Sequence, residues 1–239
     1  MVNKKQLPLK LCRDIEEIYS DIRKVAVAKQ NIIVIEKEED LHIKIIDNDP
    51  NSDFFLSILN PKFNRKSIFE MKWKPMNSIS LDTHTTKVDK ENVIKYFVTW
   101  IDTIEAYNSV YLSPDEKILK QYETEFFDSF EIIDEDADYN SFDFERQLII
   151  QKFLESTLKI LEEHPSDTKL IEEEVNDLKK NIPNLTKKVI VRRISKILAL
   201  ARKHSLNMCK AIYIEVKKQL ISRAVTGGLD FIFDSISNL

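Results

Sequence analysis

The apolar positions of this chain change period along its length. Leu11, Ile15, Ile18, Ile22 and Val25 fall three or four apart, and Arg13, Asp14, Glu16, Glu17, Asp21, Arg23 and Lys24 fill the positions between. That spacing predicts an amphipathic helix with one face on a core. The period then drops to two. Residues 31–37 (NIIVIEK) turn through Glu38–Asp40 into 41–46 (LHIKII), where Leu41, Ile43 and Ile45 alternate with His42 and Lys44, and the pair predicts a β-hairpin. Residues 54–59 (FFLSIL) predict a third strand ended by Asn60-Pro61, and 67–74 (SIFEMKWK) a fourth with Phe69, Met71 and Trp73 on one face. The polar stretch 77–92 reads as a loop. Val93, Phe97, Trp100, Ile104 and Tyr107 then mark a second long helix.

Residues 1–112 are therefore expected to form an α+β domain: helix, four-strand antiparallel meander, helix, with the apolar face of the sheet under the two helices. In element order this resembles RWD-like and ubiquitin-conjugating-like domains. The likeness is one of order: Cys12 lies in the first helix, not where a conjugating enzyme keeps its cysteine, and no family is identified from the residues. Ser113-Pro114-Asp115 opens a second part, 113–239, with proline suited to a first helical position. From there the chain reads as helical. Ile118, Leu119, Tyr122, Phe126 and Phe130 form one stripe, and Phe144, Leu148, Phe153 and Leu158 contribute to the next. Leu170, Ile171, Val175 and Leu178 form a shorter one, stopped at Asn181-Ile182-Pro183. Val189, Ile190, Ile194, Ile197 and Ala201 mark a further helix, and Ile212, Tyr213, Val216, Leu220 and Ala224 the last. Gly227 and Gly228 break the run before the tail LDFIFDSISNL.

Those two glycines are the only ones in 239 residues. Phosphate-cradling loops, nucleophile elbows and dinucleotide fingerprints need glycine where backbone meets ligand, so the composition argues against the common nucleotide-binding and hydrolase folds. Abundant Ile, Lys and Asn with scarce Ala and Pro suits an AT-rich bacterial genome. No apolar stretch is long enough to span a bilayer, the first residues meet acids before any long apolar run, and two widely separated cysteines suit a reducing, cytoplasmic compartment.

Charge alters the picture more. The net charge of −4 hides a separation: residues 114–184 are strongly acidic, while 185–224 carry only one acid, Glu215, among many Lys and Arg. Lys188, Arg192 and Lys196 recur every four residues beside Arg193, and Arg202 and Lys203 extend the charge. Like charges four apart repel in an isolated helix, so anions are expected nearby. They could be acids of the same chain, such as Glu172, Glu173, Glu174 and Asp177. A protein partner or second copy, nucleic acid, or an anionic membrane surface are the other readings. The tail is a second expected contact, with Phe233 and Ile236 on the apolar face of a short helix that would not fold alone.

Asp134, Asp136, Asp138 and Glu145 reproduce the 1, 3, 5 and 12 ligand spacing of an EF-hand calcium loop. Tyr139 and Ser141 stand where that loop wants glycine and a branched apolar residue, so the competing reading is an acidic interhelical loop, with Asn140 or Ser141 as cap. Catalysis finds little support. The four histidines show no metal-ligand spacing, and Asp82 and His84 read as a solvated loop pair. The sequence thus leads us to expect a non-enzymatic interaction or adaptor subunit of a bacterial multi-protein assembly, of which a phage-defence system is one setting. It would dock through Lys188, Arg192, Arg193, Lys196, Arg202 and Lys203 and through the tail, without a cofactor. The alternative is a nucleic-acid-binding accessory protein that lays the same basic helices on phosphates.

Overall fold

A computed structural model describes residues 3–39, 41–49, 51–130, 134–163, 168–216 and Lys218. The chain divides into two compact units, Met1–Val110 and Tyr111–Leu239. The fold is α+β followed by helices, as the periodicity predicts.

In unit 1, α1 (Leu9–Ala28) precedes β1 (Ile33–Glu39), β2 (His42–Asp47), β3 (Phe55–Asn64), β4 (Lys66–Lys74) and β5 (His84–Asp89), and α2 (Lys90–Asn108) follows. The strands lie side by side in chain order, each antiparallel to the next. Strand alternation sends one set of side chains toward the helices. Ile43, Ile58 and Met71 stand in one cross-strand row, and Ile45, Leu56 and Trp73 in the next. All six are buried against the stripes of α1 and α2, where Ile18, Ile22, Phe97 and Ile104 close the core. Trp100 Nε1 donates to the Lys74 carbonyl at 2.9 Å, which ties α2 to the end of β4.

The sheet has five strands, not the expected four. His84–Asp89, within the stretch read as a loop, forms β5 on the edge of β4. Its pattern HTTKVD buries only Val88, so β-branched threonines carry the strand and leave almost no apolar alternation to detect. Nor does Asn60-Pro61 end β3. The register shifts between Leu59 and Lys62, with Asn60 at φ 47°, so proline is thrown out of the ladder and the strand resumes.

In unit 2, α3 (Pro114–Asp128), α4 (Phe144–Glu162), α5 (Lys169–Asn181), α6 (Lys187–His204) and α7 (Leu206–Val216) share one core. Ser113 Oγ accepts the Glu116 N–H at 3.2 Å and starts α3; Asp143 Oδ1 accepts the Arg146 N–H at 2.8 Å and starts α4. Asp143, not Asn140 or Ser141, is thus the cap. α6 is the central helix: Ile190, Ile194, Ile197, Leu198 and Ala201 are buried, and α3, α5 and α7 pack on it. The α4 stripe differs from expectation. Ile150, Phe153, Leu154 and Leu161 are buried, whereas Phe144 is 73% exposed and Leu148 40%.

Candidate functional site

The helix expected to reach outward with its cations is the most deeply packed helix of unit 2, and its charges find partners there. Lys187, 8% exposed, opens it. Its Nζ lies 3.0 Å from Asp134 Oδ2 and 2.6 Å from Asp136 Oδ1. Burial alone would pull that ammonium down; the two carboxylates outweigh it and hold Lys187 above its ordinary value. Lys187 in turn holds the Asp136 carboxyl below its usual range. The same turn covers the backbone: the Lys187 N–H donates to the Asn140 carbonyl at 3.0 Å and the Lys188 N–H to that of Ala137 at 3.1 Å. Residues 134–140 therefore satisfy N–H groups that the first turn of a helix leaves open, and their acids sit at its positive end.

Further along α6, Lys188 pairs with Asp138 at 2.9 Å. Arg193 bridges Glu174 at 2.6 Å and Asp177 at 2.7 Å, and Lys196 reaches the other oxygen of Glu174 at 2.7 Å. Arg202 meets Glu125 at 2.7 Å with its guanidinium 4.0 Å from the Tyr122 ring centroid, and Lys203 meets Asp115 at 2.9 Å. Arg192 lies over the Phe127 ring at 5.0 Å. The acids come from α3, α5 and the turn before α4; Glu174 and Asp177 are the two that the sequence had named. The half-exposed pairs of Lys188 and Lys203 contribute at most about 1 kcal/mol each. The Glu174–Arg193 pair is better shielded. Phe233 and Ile236 lie outside the described residues.

The EF-hand-like carboxylates are thus engaged by lysine. Asp134 and Asp136 hold Lys187, Asp138 holds Lys188, and Glu145 stands exposed in the first turn of α4. Among the described residues no group of three or more His, Cys, Asp and Glu side chains is arranged to hold a metal. Millimolar calcium is accordingly expected to leave the thermal midpoint of the protein unchanged; a rise of several degrees in a circular dichroism melt would show that the ion displaces Lys187.

The other candidate groups are occupied structurally. Asp82 accepts the Ser80 hydroxyl at 2.8 Å, while His84 packs tilted against Trp73 with centroids 4.7 Å apart. Burial pushes the Cys209 thiol up to about 11, which keeps it protonated and unreactive at neutral pH.

Three features escape the sequence reading. In unit 1, a cavity of about 500 Å³ is lined by Lys10, Asp14, Glu17, Phe63, Ser67 and Lys90 among others. Asp14, 2% exposed, takes hydrogen bonds there from Ser67 Oγ at 2.6 Å, Lys10 Nζ at 2.9 Å and Lys90 Nζ at 3.0 Å. Opposite charges meet within the cluster, so it works as a clamp between α1, β4 and α2. The second feature is the face of the sheet turned away from α1 and α2. Phe55, on the central strand, lies there between Lys44 of β2 and Lys72 of β4, whose Nζ atoms are 5.8 and 6.0 Å from its centroid. The third is the exposed pair Phe144 and Leu148, one turn apart on α4 in unit 2.

No helix among the described residues is long and apolar enough to cross a membrane. No family model, no curated protein and no solved structure matches the chain.

Proposed function

We propose that this chain is a non-enzymatic interaction subunit, an adaptor within a multi-protein assembly, of the bacterial kind its composition suggests. The observation that carries the reading is the exposed pair Phe144 and Leu148 on α4. A helix of a solitary bundle turns polar residues outward, and adjoining exposed apolar side chains mark contact surfaces. Glu145, also exposed, stands beside Phe144, and exposed Lys152 lies one turn beyond Leu148. The fitting partner is a protein surface with an apolar hollow for Phe144 and Leu148 and charges of both signs at its edge, where apolar anchors supply affinity and the rim charges supply orientation. The cations of α6, tied to acids of their own unit or, for Arg192, laid over Phe127, act in this reading as struts of the bundle. The apolar tail with Phe233 and Ile236 is the second contact proposed.

Photo-crosslinking tests the reading. Benzoylphenylalanine introduced at Phe144, and separately at Leu148, is expected to give one adduct of the same mass. The same probe at exposed Lys117 on α3 should give none. Equal labelling from all three positions, or no adduct from the first two, would remove the proposal.

A further inference from the structure

We infer that the open face of the sheet in unit 1 binds single-stranded nucleic acid, with phosphates on its lysines and a base on Phe55. This goes beyond the protein contact assigned to unit 2 and rests on different residues. On β2 to β5 the positions pointing away from the helices carry Lys44, Lys62, Lys72, Lys74 and Lys87 around Phe55, with Glu70 as the acid among them and a Lys66–Asp89 pair at one end. Lys44 and Lys74 are held by Glu36 and Asp53. Lys62, Lys72 and Lys87 are exposed and have no ion-pair partner among the described residues. Glu70 lies opposite Lys87 in register and accepts a hydrogen bond from Asn60 Nδ2 at 3.5 Å. Each cation without a partner is a place where a phosphate can replace bound counterions.

The aromatic ring makes the surface more than a positive patch. Phe55 sits on the middle strand of five, half-buried and flanked on both neighbouring strands by lysine ammonium groups. Both ammoniums lie over the ring, so a base that stacks on Phe55 takes the place of the Lys72 ammonium, which has no ion-pair partner among the described residues and can turn to the adjoining phosphate. Thr85, exposed in the row of Lys44 and Lys72, adds a hydroxyl group for sugar or base edges. The shape selects the form of the ligand. A duplex is read by an element narrow enough to enter a groove, and a five-stranded face is not; a single strand can lie across it with bases unstacked onto protein rings.

Fluorescence anisotropy of the full chain with labelled single-stranded oligouridylate, at two salt concentrations, tests the inference. Binding is expected to weaken at least tenfold from low to physiological salt. It should fall at least tenfold in the double variant K72E/K87E and severalfold in F55A, and be unchanged in F144E, whose substitution lies in the protein contact of unit 2. Fluorescence of Trp73 and Trp100 reports whether unit 1 is folded in K72E/K87E and F55A, and far-ultraviolet circular dichroism reports the same for the unit 2 variant. No binding at low salt would overturn the inference. So would binding that F55A leaves intact and that polyglutamate displaces as readily as unlabelled oligonucleotide, because the face would then fit an acidic protein segment.

Discussion

Replacing Asp14 with alanine is expected to destabilise unit 1 by about 2 kcal/mol, the scale of hydrogen bonds to a buried charged group. The carboxylate joins three elements: Ser67 on β4, Lys90 at the start of α2 and Lys10 on its own helix all donate to it. Without it the Ser67 hydroxyl, itself buried, loses its acceptor, and Lys90 keeps only Glu17. Both tryptophans of the chain, Trp73 and Trp100, belong to unit 1, so urea unfolding followed by tryptophan fluorescence reads this unit directly. A loss below about 1 kcal/mol, the value of a solvated surface pair, would mean the cluster is open to water.

The same residue sets a pH dependence. Burial on its own would raise the Asp14 carboxyl, but the hydrogen bonds from Ser67, Lys10 and Lys90 outweigh it and hold the group at about 2, against 3.8 for a free aspartate. A carboxyl depressed in the folded state contributes stability that is fully present above its unfolded value and is lost as pH falls through its folded one. The difference in stability between the native chain and D14N should therefore shrink as pH falls from 3.8 toward 2. About 2 kcal/mol is at stake. A difference that stays constant over that interval would show that the carboxylate gains nothing from its three donors.

The second large effect is in unit 2. Phe153→Ala is expected to cost about 3–5 kcal/mol, the cost of a large aromatic cavity in a packed core, because the side chain is fully buried. Phe144→Ala on the same helix should change stability by less than about 0.5 kcal/mol, as exposed positions do. Urea unfolding followed by far-ultraviolet circular dichroism distinguishes the two. Similar losses for both would place Phe144 in the core and remove the surface proposed for docking.

These two phenylalanines show where sequence and structure part. The sequence pattern suggests one stripe for both, yet they are nine residues apart, which on a helix of about 100° per residue sets them on opposite sides. The buried set Ile150, Phe153, Leu154 and Leu161 follows the three-and-four rule that Phe144 breaks. Where the rule holds, as on α1, α2 and α6, the helices and their buried faces are legible; on α5 Ile171, Val175 and Leu178 are buried as expected, whereas Leu170 is exposed. β5 was not, since an edge strand of threonines with one buried valine carries almost no hydrophobic signal. The charge separation was visible in the composition, but its meaning depended on which acids meet which bases. Asp134, Asp138, Glu125 and Asp115 lie far along the chain from their cations, and only the tertiary fold brings them together. Asp14 looked like one more charge on the polar face of α1; its burial follows from the hairpin of β3 and β4 beneath it.

The side-by-side order of the five strands also governs how unit 1 comes into being. Every strand pairs with the one made just before it, so each closure spans a short stretch of chain and costs little entropy. A sheet of this kind can zip hairpin by hairpin on the nascent chain, from the amino end forward, while the helices of unit 2 are still being translated. On that order the lysine-bearing face around Phe55 needs no residue of the helix that carries Phe144 to close its strand pairings.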